Sequence, residues 1–104
     1  MKPVLSAAKA NTVQQPDGDN ELALACKALG HPARIRILQL LKKADRCICG
    51  EIVETLPLAQ STVSQHLKIL KEAGLIVGVI EGPRTCYCLD KNKLARLKER
   101  IAGL

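Results

Sequence analysis

"AQSTVSQHLKILKEAG", residues 59–74, predicts an amphipathic helix with two contrasting faces. Val63, Leu67 and Leu70 recur at intervals of three and four residues, which predicts that one face is buried. Gly74 follows them and predicts the end of the helix. The opposite face begins with short uncharged hydrogen-bonding side chains, namely Gln60, Ser61, Thr62, Ser64 and Gln65.

Three further helices are predicted before this segment. The first is capped by Asp19 or Asn20, has the apolar positions Leu22, Cys26 and Leu29, and ends at Gly30. The second covers residues 32–43 and starts with a proline in its first turn. A two-turn helix, "EIVETLP", is stopped by its own proline at residue 57 and leaves a tight junction to the segment above.

After the polar helix the apolar residues no longer recur at the spacing of a helix. "LIVGVIEGPRTCYCLD" (75–90) holds β-branched residues, a Glu-Gly-Pro-Arg turn and a second extended run, which predicts a β-hairpin. "KNKLARLKERIAGL" (91–104) predicts a final helix with an apolar stripe of Leu94, Leu97, Ile101 and Leu104. The predicted fold is mainly α with a β-hairpin wing, in the order of a winged helix-turn-helix.

This order gives the polar helix a specific interpretation. Its short polar side chains suit base edges in a major groove, and Lys68 and Lys71 follow as phosphate partners. Arg84 lies at the predicted hairpin tip, where a cation reaches the DNA backbone or the minor groove. A surface helix that is merely polar is the alternative, and the hairpin behind it favours double-stranded DNA.

Length and charge allow this interpretation without requiring it. The 104 residues make one domain, which we assign to residues 19–104, preceded by a flexible arm at residues 1–18. So short a chain buries a modest fraction of its surface, which favours a helper such as dimerisation or a metal. The net charge of +6 fits a polyanion partner but does not demand one, and a merely soluble surface is the alternative.

The role expected for the cysteines depends on the cellular compartment, because the compartment sets their redox state. We find no apolar run long enough for a signal peptide or a membrane span, so we expect a cytoplasmic protein without a membrane partner. In a reducing compartment, five cysteines indicate metal ligands, redox sensors or core residues rather than a disulfide framework. Cys26, on the apolar stripe of the first helix, is expected to fill the core.

Cys47 and Cys49, in "RCIC", form the candidate metal site with Cys86 and Cys88. Residues i and i+2 share a face only on extended chain, so the segment is expected to be a short strand. Thiolates select soft acceptors, here As(III) or Sb(III), with Cd(II), Pb(II) and tetrahedral Zn(II) as further candidates. Small apolar core residues are the alternative, and it is stronger for Cys86 and Cys88.

Three stretches together resemble one family. "LACKALGHPARIRILQLL", "STVSQHLKILKEAGLI" and "EGPRTCYCLD" are similar to the ArsR/SmtB family of metal-sensing repressors, from about Glu21 to the C-terminus. The resemblance implies a homodimer packed through the first and last helices, which releases operator DNA when it binds a metal or metalloid. "RCIC" resembles the Cys-x-Cys box of arsenic- and cadmium-type members. In the implied topology this strand pairs with the second wing strand, so the four thiols can meet.

The sequence departs from the family pattern at three positions. Ala59 stands where relatives often have a serine or threonine cap, and Cys86 and Cys88 stand where tyrosine is common. The final helix has no histidine and only Glu99 as an acid, which disfavours the family's second kind of site, built from carboxylates and histidines there.

The two histidines receive structural roles. His66 resembles a common family residue and is grouped with the DNA-binding candidates as a structural or phosphate-binding side chain. His31, at the start of the second helix, is expected to act as an N-cap.

The sequence therefore predicts a metalloid-responsive transcriptional repressor. The dimer would place two polar helices in successive major grooves, about 34–36 Å apart, so the operator is expected to be an imperfect inverted repeat. The alternative keeps the fold and replaces the metalloid by a disulfide that joins Cys47 or Cys49 to Cys86 or Cys88. An enzyme is disfavoured, because the Cys-x-x-Cys spacing of thiol oxidoreductases is missing.

Overall fold

The computed structural model describes residues 14–104 and confirms the predicted order of elements. The helices and strands are α1 (Gln14–Ala28), α2 (Pro32–Ala44), α3 (Glu51–Thr55), α4 (Gln60–Glu72), β1 (Ile76–Glu81), β2 (Arg84–Leu89) and α5 (Lys91–Ala102). The described chain is thus mainly helical, with one two-stranded antiparallel hairpin between α4 and α5.

Helix α1 begins earlier than predicted. The sequence placed its cap at Asp19 or Asn20, but the helix already includes Gln14 and runs through Pro16 and Gly18. Proline is tolerated in a first turn because the amide it lacks has no partner within the helix. Asp19 instead lies 3.6 Å from Arg100 of α5. The predicted arm lies outside the described residues up to position 13, and its boundary with the domain remains a prediction.

His31 and Asp45 flank the two ends of α2, and their side chains make specific contacts there. Nδ1 of His31 accepts a hydrogen bond from the amide of Ala33 at 3.0 Å, which confirms the predicted N-cap. At the other end Asp45 adopts a left-handed conformation, with φ 53°. Its carboxylate pairs with Lys91 at the start of α5, and this hydrogen bond and charge hold the pKa of Asp45 below its usual value.

The core is built from aliphatic side chains of every helix and the first strand. Val63, Leu67 and Leu70 of α4 are buried as predicted. They join Ala25, Ala28, Ile37, Leu38, Leu41, Ile48, Ile52, Leu56, Ala73, Leu75, Ile76 and Leu97 in one cluster.

Cys26 is not part of this core, and its predicted role as a core residue is wrong. Its thiol is free and exposed, while Ala25 and Ala28 turn toward α4 and α5. Two alanines allow α1 to approach its neighbours closely, and the other two predicted apolar positions, Leu22 and Leu29, are partly buried against the core.

The hairpin has a regular register. Ile76 pairs with Leu89 and Glu81 with Arg84, and Gly82 and Pro83 form the two-residue turn. Gly82 has φ 62°, a conformation that glycine adopts without steric cost. Within residues 14–104, no helix combines the length and the apolar character needed to cross a bilayer.

Candidate metal site and nucleic-acid interface

The segment after α2 is extended and pairs with the hairpin. The amide of Ile48 donates to the carbonyl of Tyr87 at 2.8 Å, and the amide of Tyr87 donates to the carbonyl of Ile48 at the same distance. Ile48 is buried, so this antiparallel bridge is anchored in the core. The predicted short strand is thus reduced to a single antiparallel bridge at Ile48, which places "RCIC" beside the second strand of the hairpin.

The bridge places four cysteines opposite one another. Cys47 faces Cys88 with a Cα–Cα distance of 4.2 Å, and Cys49 faces Cys86 at 3.9 Å. In the structure each facing pair is a disulfide. The four sulfur atoms share one face, as two-residue spacing on extended chain requires. The structure thus brings the four cysteines together as two facing pairs, and their joint use as one metal site stays a prediction.

The two cysteine pairs differ in burial. Cys47 is exposed and Cys88 half-buried, so the outer pair is open to solvent. Cys86 is fully buried and Cys49 half-buried. In the reduced protein the outer pair is the more accessible to a thiophilic ion or an oxidant.

A carboxylate that the sequence analysis did not identify lies beside the inner pair. Oε1 of Glu81 is 3.6 Å from Sγ of Cys86. Single ligand atoms of Cys49, Glu81 and Cys86 all lie within 4.8 Å of one another. The hairpin register could have identified this carboxylate. Val79 pairs with Cys86, and Glu81 is two residues after Val79, so Glu81 and Cys86 lie on the same face of the hairpin.

This donor set fits a thiophilic ion. Reduced thiolates bind As(III) and soft divalent ions, and the facing cysteines offer two or more of them on two adjacent segments. The predicted acceptors therefore suit the residues that the fold brings together.

Helix α4 presents most of the predicted DNA-binding residues to solvent. Thr62 is half-buried. The exposed residues are Gln60, Ser61, Ser64, Gln65 and Lys68. Ala59 is the N-cap residue and provides no side-chain cap, as its sequence indicated. The first intrahelical bond runs from the amide of Val63 to the carbonyl of Ala59 at 3.0 Å, so the preceding amides of the first turn remain directed outward.

The cations predicted to bind phosphates are exposed. Arg84 is exposed directly after the hairpin turn, and Lys71 is exposed in the last turn of α4. The Lys71 ammonium lies over β1, where a Cβ added at Gly78 would be 3.5 Å from Nζ. The absence of a side chain at Gly78 therefore leaves room for Lys71 between α4 and the hairpin.

His66 differs from the other DNA-binding candidates because it is buried. Its Nδ1 lies 3.2 Å from Nη1 of Arg34, and its ring lies against His31 with 4.4 Å between the centroids. Nε of the same Arg34 donates to the carbonyl of Ala28 at 2.6 Å. His66 thus links α4 to α2 and to the end of α1, and its predicted role as a DNA contact does not fit this position.

The surroundings of His66 disfavour its protonation. Burial lowers the pKa of His66, and the nearby His31 and Arg34 charges lower it further. The neutral ring can accept the Arg34 hydrogen bond, whereas the protonated ring cannot.

One of the four cysteines, Cys49, lines a cleft together with predicted DNA-binding residues. Its volume is about 380 Å³, and its walls include Cys49, Tyr87, Gln60, Ser64 and Arg84. A change in the strand pair is therefore adjacent to both the polar helix and the hairpin tip.

The helix pair α3–α4 followed by a β-hairpin defines a winged helix-turn-helix protein. A family model described as "Bacterial regulatory protein, arsR family" matches residues 31–77. The biofilm growth-associated repressor of Agrobacterium fabrum is 36% identical over 84 residues, which cover 81% of this chain and 71% of that protein. The chain belongs to the ArsR family of bacterial regulatory proteins, which confirms the resemblance.

Two further comparisons define how far the similarity extends. The HTH-type transcriptional repressor SmtB of Mycobacterium tuberculosis is 42% identical over 71 residues, which are 68% of this chain and 52% of that protein. The chain thus spans about half the length of this curated relative. A homodimeric winged helix-turn-helix DNA-binding domain of Mycobacterium bovis, described as a possible ArsR-family regulator, superimposes with a TM-score of 0.72 at 28% identity, covering 90% of this chain and 87% of that one.

We predict that His66 makes the stability of the domain depend on pH. Its pKa is lowered in the folded state relative to about 6.5 in an unfolded chain, so the unfolded chain binds more protons as the pH falls. The stabilisation is therefore complete above the unfolded pKa and decreases as the pH falls through the folded pKa. Thermal unfolding followed by circular dichroism should show a steeper loss of the melting temperature toward acid for the wild type than for His66→Gln. Equal slopes would contradict this account.

Proposed function

We propose that the protein is a dimeric, cytoplasmic transcriptional repressor that releases operator DNA when As(III) or Sb(III) binds its cysteine thiolates. One observation carries the proposal: the strand pair that unites Cys47, Cys49, Cys86 and Cys88 shares a cleft with the DNA-facing residues of α4 and the hairpin tip. A ligand for the thiols is thereby adjacent to the elements that would hold DNA.

DNA recognition is assigned to two kinds of side chain. Gln60, Ser61 and Gln65, with Thr62 and Ser64, are uncharged and can exchange hydrogen bonds with base edges. Lys68, Lys71 and Arg84 are cations that bind phosphates without reading sequence. The net charge of +6 supports the same partner. The operator is expected to be an imperfect inverted repeat.

Dimerisation is supported by apolar side chains left open on the first and last helices. Leu24 of α1 is 48% exposed, Ile101 of α5 is 43% exposed, and Leu104 just beyond α5 is 90% exposed. Burying such side chains against a second copy removes apolar surface from water. The relative from Mycobacterium bovis that shares the fold is homodimeric.

The release step follows from the cysteine geometry. In the reduced protein each As–S bond forms as a thiol loses its proton and the arsenic loses a hydroxide, which leave together as water. The bound As(III) then joins cysteines of two chain segments, the one after α2 and the second hairpin strand. Arg84 begins that hairpin strand, so a change in the strand pairing moves it relative to α4. Coupling between two such sites is typically about 1–3 kcal/mol, a loss of DNA affinity of roughly 5- to 150-fold.

A thiol-redox switch is the second candidate, and the two disulfides are compatible with it. Cys47–Cys88 and Cys49–Cys86 link the same two segments that a metalloid would link. Oxidation would remove four of the five thiols and leave Cys26 free. The two candidates differ in what changes DNA binding: a metalloid on reduced protein, or oxidation without any metalloid.

The dimer prediction can be tested by substitutions that introduce a charge at the exposed apolar positions. Leu24→Glu or Ile101→Glu should shift the protein to monomer in sedimentation at micromolar concentration, because a buried carboxylate without a partner is costly. Ile80→Glu is the matched control, since Ile80 is 80% exposed on the hairpin. A monomeric wild type with full operator affinity would contradict the prediction.

The two kinds of DNA contact should separate on mutation. Gln60→Ala, Ser61→Ala or Gln65→Ala should reduce the preference for the operator over random DNA by about 1–3 kcal/mol. Lys68→Ala or Arg84→Ala should weaken binding to both DNAs and reduce the salt slope by about 1. Fluorescence anisotropy at several salt concentrations measures both effects. An equal loss of specificity in both sets would refute this division.

The cysteine prediction concerns release rather than binding. Cys47→Ser and Cys49→Ser should each bind operator like the wild type and no longer release it with arsenite, since a chelate lacking one thiolate loses most of its affinity. Replacing Cys86 or Cys88 should weaken the response, and Cys26→Ala should behave like the wild type. The measurement is operator anisotropy of reduced protein against arsenite concentration.

Two outcomes would change the assignment. Release at the wild-type arsenite concentration by a variant lacking both Cys86 and Cys88 would remove the hairpin cysteines from the site. Release by peroxide alone, with loss of four thiols and no effect of arsenite on reduced protein, would favour the redox switch.

A further inference from the structure

The cluster of Cys49, Glu81 and Cys86 differs chemically from the rest of the cysteine site. It holds two sulfur donors and one carboxylate oxygen, all within 4.8 Å of one another. Cys47 and Cys88, on the outer side, are not part of this cluster. The four cysteines are therefore divided into an inner pair with an oxygen donor and an outer pair without one in the described chain.

We propose that Cys49, Cys86 and Glu81 form a site for a divalent, thiophilic cation of the Zn(II) type, with Glu81 as a direct ligand. The inference rests on the proposed function, because it requires that these cysteines are reduced and bind thiophilic ions. The inference adds Glu81 as a ligand, and divalent cations as a second class of ion, to the proposed cysteine site.

The distances suit such an ion. Zn–S bonds of about 2.3 Å and Zn–O bonds of about 2.0–2.2 Å imply donor separations of roughly 3.5–3.8 Å in a tetrahedral site. Oε1 of Glu81 is 3.6 Å from Sγ of Cys86, within this range. The sulfur atoms of Cys49 and Cys86 are joined in a disulfide, so they must separate on reduction before both can bind one ion. Three protein ligands and one water are an established coordination set for this ion.

The chemistry of the donors separates divalent cations from arsenite. Zn(II) and Cd(II) are borderline or soft ions that accept a carboxylate beside thiolates, whereas As(III) is held by thiolates. Two thiolates and one carboxylate carry three negative charges, and the divalent cation carries two positive charges. Glu81 therefore favours a divalent cation and contributes little to arsenite binding.

Formation of the site requires a reductant. A dithiol reduces the Cys49–Cys86 disulfide by thiol–disulfide exchange; it supplies two electrons and two protons and is itself oxidised to a disulfide. The divalent cation then displaces the two thiol protons, which are released to solvent, and binds the Glu81 carboxylate.

The position of Glu81 gives the site a route to the DNA-facing groups. Glu81 pairs directly with Arg84 across the two-residue turn of Gly82 and Pro83. A cation that draws the Glu81 carboxylate toward Cys86 therefore acts on the hairpin tip itself. An ion held by the outer cysteines acts farther from the tip, at the opposite end of β2.

The test is a zinc titration of the reduced full chain in competition with a chromophoric chelator. Glu81→Gln keeps the size of the side chain and removes its charge, and should weaken zinc binding by roughly 10-fold or more. Cys86→Ser should also weaken it. Glu99→Gln, an exposed acid on α5, is the matched control and should bind zinc like the wild type.

Arsenite titration of the same proteins separates this inference from the proposed function. Glu81→Gln should release operator at the wild-type arsenite concentration. Zinc affinity unchanged in Glu81→Gln, or no weaker in Cys86→Ser than in the wild type, would overturn the inference. A wild type that does not respond to arsenite, while zinc binding still depends on Glu81, would overturn the proposed inducer and leave the divalent site standing.

Discussion

Two backbone hydrogen bonds between Ile48 and Tyr87 fix the geometry on which the candidate site depends. Each has a donor–acceptor distance of 2.8 Å, and together they set one register between the segment after α2 and β2. Side chains alternate along extended chain, so a slip of one residue would move the cysteines of one segment to the opposite face. Burial of Ile48 makes such a slip costly, because the slip would expose this side chain.

The meeting of the two cysteine segments was predictable from the winged-helix topology together with the two-residue spacing, whereas which cysteine pairs with which was left open. Cys47 and Cys49 are two apart, Cys86 and Cys88 are two apart, and an antiparallel bridge between the segments leaves few ways to combine them. The helices were predictable from local spacing, since Val63, Leu67 and Leu70 define a face within one turn of each other. Even the N-cap role of His31 follows from its place before Pro32.

The errors concern contacts between elements that are distant in sequence. The face of α1 is decided by packing on α4 and α5, where Ala25 and Ala28 are accommodated and Cys26 is not. His66 is polar and lies among polar neighbours in the sequence, yet Arg34 of α2 holds it inside. Periodicity within one helix carries no information about such partners, whereas the position of Glu81 near Cys86 follows from the hairpin register once the turn is known.

Tyr87 connects the cysteine site to the DNA-facing surface. It is the one aromatic residue among Phe, Trp and Tyr in the sequence, and the rest of the core is aliphatic. Its backbone forms the bridge to Ile48, between Cys86 and Cys88, while its side chain lines the cleft with Gln60 and Ser64 of α4. A change in strand pairing that a ligand or a disulfide imposes therefore displaces a large, semi-rigid ring beside the polar helix. In the proposed function the coupling between the two sites is reciprocal, so DNA bound to α4 and the hairpin would weaken ligand binding at the cysteines by the same factor.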